Sequence, residues 1–201
     1  PDADLHAENK DVQAAIEMKL LQALRFRREM QREPMYKTIT GEERFVELTL
    51  IDSGYKANVV YAFCMESGAK FRPAKGYGTR QGQSRFNAPV KSGDTKWVGD
   101  RWYMTPQPAN GVYLVHVDAD YWKTYTHERF FQTPDTVGSC TLFGSEPSLH
   151  KRYARHICAE EYDSAKMKWV KKDRWNHFLD TTYMAHVAAS MRGVRLVRHQ
   201  M

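Results

Sequence analysis

Three carboxylates stand where an acid could do chemistry. Asp52 follows the apolar run Phe45-Val46-Glu47-Leu48-Thr49-Leu50-Ile51 and precedes Ser53-Gly54. Asp118 ends Val112-Tyr113-Leu114-Val115-His116-Val117 in the same manner. Ligands of open α/β sheets gather at the carboxyl ends of strands, so both acids are placed to meet one. Asp180 lies within Asn176-His177-Phe178-Leu179-Asp180, close to Lys171, Lys172 and Arg174. Carboxylate oxygens bind hard divalent cations. Two such ions ~4 Å apart activate water and stabilise the leaving oxygen of a phosphodiester. A plainer reading stays open beside each acid. Asp at a strand-to-helix turn also caps the helix that follows, which applies to Asp52 and Asp118. A mid-helix Asp180 has no cap to make, but a solvated or salt-bridged role would explain it.

Basic residues supply a second chemistry. Lys70, Arg72, Lys75, Arg80, Arg85, Lys91, Lys96 and Arg101 face only Asp94 and Asp100, with Tyr77, Phe86 and Trp97 interleaved. Cations and aromatic rings in one flexible segment suit a strand of phosphates and bases; an ordinary solvated loop is the alternative. Residues 75–96 carry four glycines and few apolar side chains, so the expectation is a flexible basic loop. A further stretch holds Lys166, Lys168, Lys171, Lys172 and Arg174.

The elements that must position these groups follow from periodicity. Val12, Ile16, Leu20 and Leu24 predict a helix over 11–32, capped by Asp11 and stopped by Pro34. A strand over 45–51, a helix over 55–68 with Gly68 as C-cap, and a short strand over 69–74 make the progression of a parallel pair. Strands are expected at 97–104, 112–117 and 139–143, and helices at 120–132, 147–157 and 174–192. The fold class is therefore α/β, within a single domain over 1–201.

Composition excludes several classes. The chain has 201 residues, a net charge of +6 and 42% apolar side chains, enough for a core and unlike a disordered segment. No run approaches the ~20 apolar residues of a membrane span. The three cysteines form no C-x-x-C pair, and His150 and His156 fall on different helix faces, so zinc is not indicated. There is no P-loop and no G-x-G-x-x-G. The chain begins at Pro1 and is expected to be a piece of a longer protein.

Taken in order, the motifs resemble a family. Ile51-Asp52-Ser53-Gly54, Val59-Val60-Tyr61-Ala62-Phe63-Cys64 and Arg72-Pro73-Ala74-Lys75-Gly76 are similar to the nuclease region of large terminase subunits of tailed phages, in the lambda-like branch. Val115 to Lys123 with Arg129, then Asn176 to Ala185, continue the resemblance, which covers about residues 45–192. It implies a ribonuclease-H-like mixed sheet flanked by helices. It also implies a two-metal endonuclease that uses Mg or Mn to cut double-stranded DNA during genome packaging in the host cytoplasm. Asp52 becomes the acid at the end of the central strand and Asp180 the acid of the C-terminal helix, converging at the sheet's C-terminal edge. Asp118 and Lys123 match recurrent positions, Asp118 as a further metal ligand and Lys123 as a DNA contact beside Lys171 and Lys172. The ATPase motor, the small terminase subunit and the portal protein become partners. The first strands of the family fold, with one further acid, and the motor are expected to be missing from this piece. A non-catalytic module binding DNA or portal through the same architecture is the rival reading.

Overall fold

The computed structural model describes residues 2–38, 40–79, 86–87, 98–107, 109 and 111–194, with residues 2–8 as backbone alone. In chain order the elements are α1 (Asp2–Met30), β1 (Tyr36–Lys37), β2 (Glu43–Arg44), β3 (Thr49–Asp52), α2 (Ala57–Ser67), β4 (Phe71–Tyr77), β5 (Val98–Gly99), β6 (Trp102–Gln107) and β7 (Val112–Asp118). Then come α3 (Ala119–Phe131), a 3-10 turn (Pro147–His150), α4 (Lys151–Ile157), β8 (Glu160–Asp163), β9 (Lys168–Lys171) and α5 (His177–Met191). Five strands form one sheet in the order β3-β4-β7-β6-β5; β1–β2 and β8–β9 are separate ribbons. β3 and β4 run parallel, from Thr49 opposite Phe71 to Asp52 opposite Ala74, while β5 and β6 are antiparallel. The sheet is mixed and flanked by helices, as the sequence leads one to expect of an α/β fold.

The chain divides into two compact units, and the division passes through β4, β6 and β7. One comprises the described residues up to Ala74 with those of Pro106–Leu114; the other takes Lys75–Thr105 and Val115 onward. The first unit is built on α2. Its Val60, Phe63 and Cys64, spaced one turn apart, are buried with Phe71 and Val112, and Leu21, Leu24 and Ile51 pack against them. Phe63 meets Phe71 edge-on at 5.3 Å. The helix stops at Gly68, whose φ of 79° only glycine adopts without strain. Burial pushes the Cys64 thiol up to about 12, so it is inert core. α1 starts far earlier than its apolar spacing predicts, which places Asp11 inside the helix rather than at its cap. Arg25 and Arg28 of α1 clasp Glu66 of α2, Arg25 through two hydrogen bonds of 2.8 and 2.6 Å.

The second unit centres on α3 packed along α5. Val115, Val117, Trp122, Leu179 and Val187 are fully buried in this unit. Two expectations are corrected here, and one hairpin appears that the sequence reading assigns to no element. No strand forms over 139–143; the N–H of Cys140 donates to the Arg129 carbonyl instead. The basic stretch beginning at Lys166 belongs to a hairpin, with Tyr162 paired to Trp169 and Glu160 to Lys171. α5 begins at His177 rather than 174, which moves Asp180 from mid-helix into the first turn.

Candidate active site

In the first unit Asp52 ends β3. Its neighbour Ser53 is buried and gives both its N–H and its hydroxyl to the Ala74 carbonyl, at 2.8 and 2.9 Å, which extends the parallel pairing past the strand. The chain then turns, with the Gly54 N–H donating to Asp52 Oδ1 at 2.9 Å. A Cβ on Gly54 would stand 3.2 Å from that oxygen. Asp52 does not cap α2: the cap position is Lys56, at φ 50°, and no side chain bonds the first amides. The capping reading therefore fails here, and an exposed carboxylate remains at the strand end.

In the second unit Asp118 has the plain role. It is the N-cap of α3 and accepts the Tyr121 N–H at 3.1 Å, with Arg101 at 3.7 Å. Burial lifts its carboxyl above the usual range, partly offset by these two partners. Asp120 accepts the Thr79 N–H and hydroxyl at 2.7 and 2.8 Å, tying the exit of β4 to α3. Gly76 on β4 is held glycine by proximity, since a Cβ there would lie 2.5 Å from the Tyr183 hydroxyl of α5.

Asp180 sits in a dense polar network. Its position in the first turn of α5 suits a negative charge beside the helix N-terminus. Asn176 Nδ2 donates to Asp180 Oδ2 at 3.0 Å and to Glu160 Oε1 at 2.6 Å. Lys123 Nζ donates to Glu160 Oε2 at 2.7 Å and lies 3.9 Å from Asp180 Oδ1. Lys171 Nζ closes the set on Asn176 Oδ1 at 3.0 Å. Lys123, expected at the DNA surface, is thus only 7% exposed and engaged with an acid. Glu160, 2% exposed, was not singled out by the sequence, where it stands beside the chemically identical Glu161.

The basic residues divide. Lys75 belongs to β4 rather than to a loop, with its ammonium 5.6 Å from the Tyr77 ring. Tyr77 leads into an aromatic column. His116 stacks on Tyr103 at 4.4 Å and on Tyr77 at 5.5 Å, and Phe86 adjoins Tyr103 at 5.5 Å. The imidazole is held between the Tyr77 and Thr105 hydroxyls at 2.9 and 2.8 Å, and burial with nearby Lys75 pushes its pKa down. Lys172 pairs with Glu161 at 2.5 Å. Arg80, Arg85, Lys91 and Lys96 lie outside the described residues. A cavity of about 790 Å³ between α3 and the β8–β9 hairpin is lined by Asp120, Glu128, Glu160 and Glu161 with Phe131 and Trp169, and, among the described residues, by no Lys or Arg. Its charge disfavours a phosphate backbone.

Residues 25–201 match the family model described as the endonuclease domain of the terminase large subunit gpA. The chain belongs to this family. No curated protein and no solved structure matches it. Membership makes the chain a nuclease module of DNA packaging, and the mixed sheet with flanking helices accords with a ribonuclease-H-like nuclease. No described helix is long and apolar enough to cross a membrane. Carboxylate oxygens, the groups that Asp52 and Asp180 present, are the donor type that Mg or Mn takes, and Mg commonly uses only one or two with water completing its shell. Among the described residues no three acidic, histidine or cysteine side chains gather to hold an ion. The donor type fits a hard cation.

Proposed function

We propose that this domain cuts double-stranded DNA by metal-dependent phosphodiester hydrolysis, with Asp52 and Asp180 as ion-holding carboxylates. What carries the reading is Asp180, in a chain of this family: an acid a third exposed whose two oxygens each face a donor fixed by other side chains. Mg or Mn, two ions in the complete site, would supply Lewis acidity and an activated water. The chain's own residues do the rest. Gly54 and Ser53 set the Asp52 carboxylate at a strand end, and Asn176 orients Asp180. Lys75, Arg80, Arg85, Lys91, Lys96, Lys171 and Lys172 offer cations to phosphates, and Tyr77 and Phe86 offer rings to bases. Asp118 is left out as a metal ligand, because its Oδ1 caps α3 and Arg101 lies 3.7 Å from its Oδ2.

The ATPase motor, the small terminase subunit and the portal are the partners this reading implies, in the host cytoplasm. The lack of a three-acid cluster among the described residues favours one second reading, a DNA- or portal-binding module without catalysis. Calorimetric titration with Mn separates the two. The nuclease reading expects saturable binding that weakens in Asp52→Asn and Asp180→Asn; no binding by the wild-type chain favours the second.

A further inference from the structure

We propose that Glu160 is a positioning residue of the nuclease site, acting through Lys123 and Asn176 to fix the Asp180 carboxylate; this rests on the role given to Asp180 above. Lys123 and Glu160 form an ion pair whose side chains are 9% and 1% exposed. Taking two charges out of water costs several kcal/mol per ion, and apolar residues of equal volume are often as stable or more so. Stability alone gives no reason for a pair in this place.

The geometry gives one. Glu160 accepts from Lys123 Nζ at Oε2 and from Asn176 Nδ2 at Oε1. Those same two nitrogens are the ones facing the two oxygens of Asp180, at 3.9 and 3.0 Å. The amide orientation of Asn176 is set as well. Lys171 can bond only its oxygen, so its NH2 must serve the two acids. The ammonium is claimed by Glu160 at 2.7 Å and stands back from Asp180, neutralising the buried acid without taking the exposed one's place in the site. A flexible carboxylate at a helix start thus acquires one orientation. Outer-shell partners of this kind are worth roughly 10- to 100-fold in metal affinity or activity.

The test replaces the pair by apolar residues, Lys123→Met with Glu160→Leu, and compares it with wild type and Asp180→Asn. Thermal melting, Mn binding followed by the loss of free-ion spin resonance, and kcat and KM for plasmid nicking are read on each. The expected pair variant melts near wild type, binds Mn roughly 10- to 100-fold more weakly and loses kcat by a like factor, with KM for DNA unchanged. A folded pair variant with wild-type Mn affinity and kcat overturns the inference. Should the pair variant not fold, Glu160→Gln, which keeps volume and an acceptor for Asn176, decides by the same readouts. An inactive Asp180→Asn beside an active pair variant sinks the positioning role alone. An Asp180→Asn that binds Mn and cuts as wild type sinks the reading of Asp180 and the inference with it.

Discussion

Lys123 and Glu160 meet at 2.7 Å in the interior of the second unit, one on α3 and the other at the start of β8. Breaking such a pair leaves one charge buried without its partner, which destabilises by about 3–5 kcal/mol. Glu160→Ala is therefore expected to lower the unfolding free energy by that amount in urea titrations. Glu161→Ala, which removes an exposed partner of Lys172, should change it little. Equal effects from the two neighbours would contradict the burial argument.

Asp118 and Asp180 should behave as different kinds of acid. Asp118→Ala removes the cap of α3 and should cost about 1 kcal/mol, while Asp118→Asn keeps an acceptor for the Tyr121 N–H and should cost little. DNA cleavage should survive Asp118→Asn. Its loss there, with the fold intact, would return Asp118 to the site.

Acid should loosen the second unit through His186. Burial, with Arg129 nearby, holds its imidazole at about 4, and Nδ1 meets the Thr126 hydroxyl at 2.9 Å. A histidine with a depressed folded pKa stays neutral in the native state and takes a proton on unfolding. Its contribution is full above the ordinary value of about 6.5 and is lost as pH falls toward 4, a drop of roughly 3 kcal/mol. Denaturant melts at pH 7 and pH 5 should show the decline, and His186→Gln should flatten it. A slope unchanged in that variant would remove His186 as its source.

Phosphate contacts should register as salt dependence. Each lost contact flattens log K against log salt by about one unit. Replacing Lys75, Arg80 and Arg85 with Ala should weaken duplex binding and reduce the slope by up to about three units. Unchanged affinity and slope would mark a passive segment.

The legible parts of this molecule are those set by local pattern. Thr49-Leu50-Ile51 at the end of the run 45–51, the stripe Val60-Phe63-Cys64 and Gly68 announce strand, helix and C-cap, although 45–48 form no strand, and the parallel β3–β4 pair follows from them. What was misread depends on partners distant in sequence. Thr141-Leu142-Phe143 has strand-like residues but, among the described residues, no strand pairs with it. The β8–β9 hairpin is disguised by its lysines, which mark a basic stretch rather than a strand. α5 has no side-chain cap to mark its start, so the first-turn position of Asp180 was hidden. Glu160 could not be told from Glu161, because only the hairpin's register decides which of the two turns inward to Lys123.

The central claim is that metal-dependent cleavage passes through Asp180. Nicking of supercoiled plasmid measures it directly, run with Mn, Mg or EDTA on this chain and on a version extended at its N-terminus, each beside its Asp180→Asn counterpart. Asn keeps the shape of the side chain and removes the charge that a hard cation needs. The account predicts nicking in Mn or Mg, none in EDTA, and none in Asp180→Asn despite an unchanged melting curve. Nicking by Asp180→Asn at the wild-type rate, or cleavage that persists in EDTA, would contradict it.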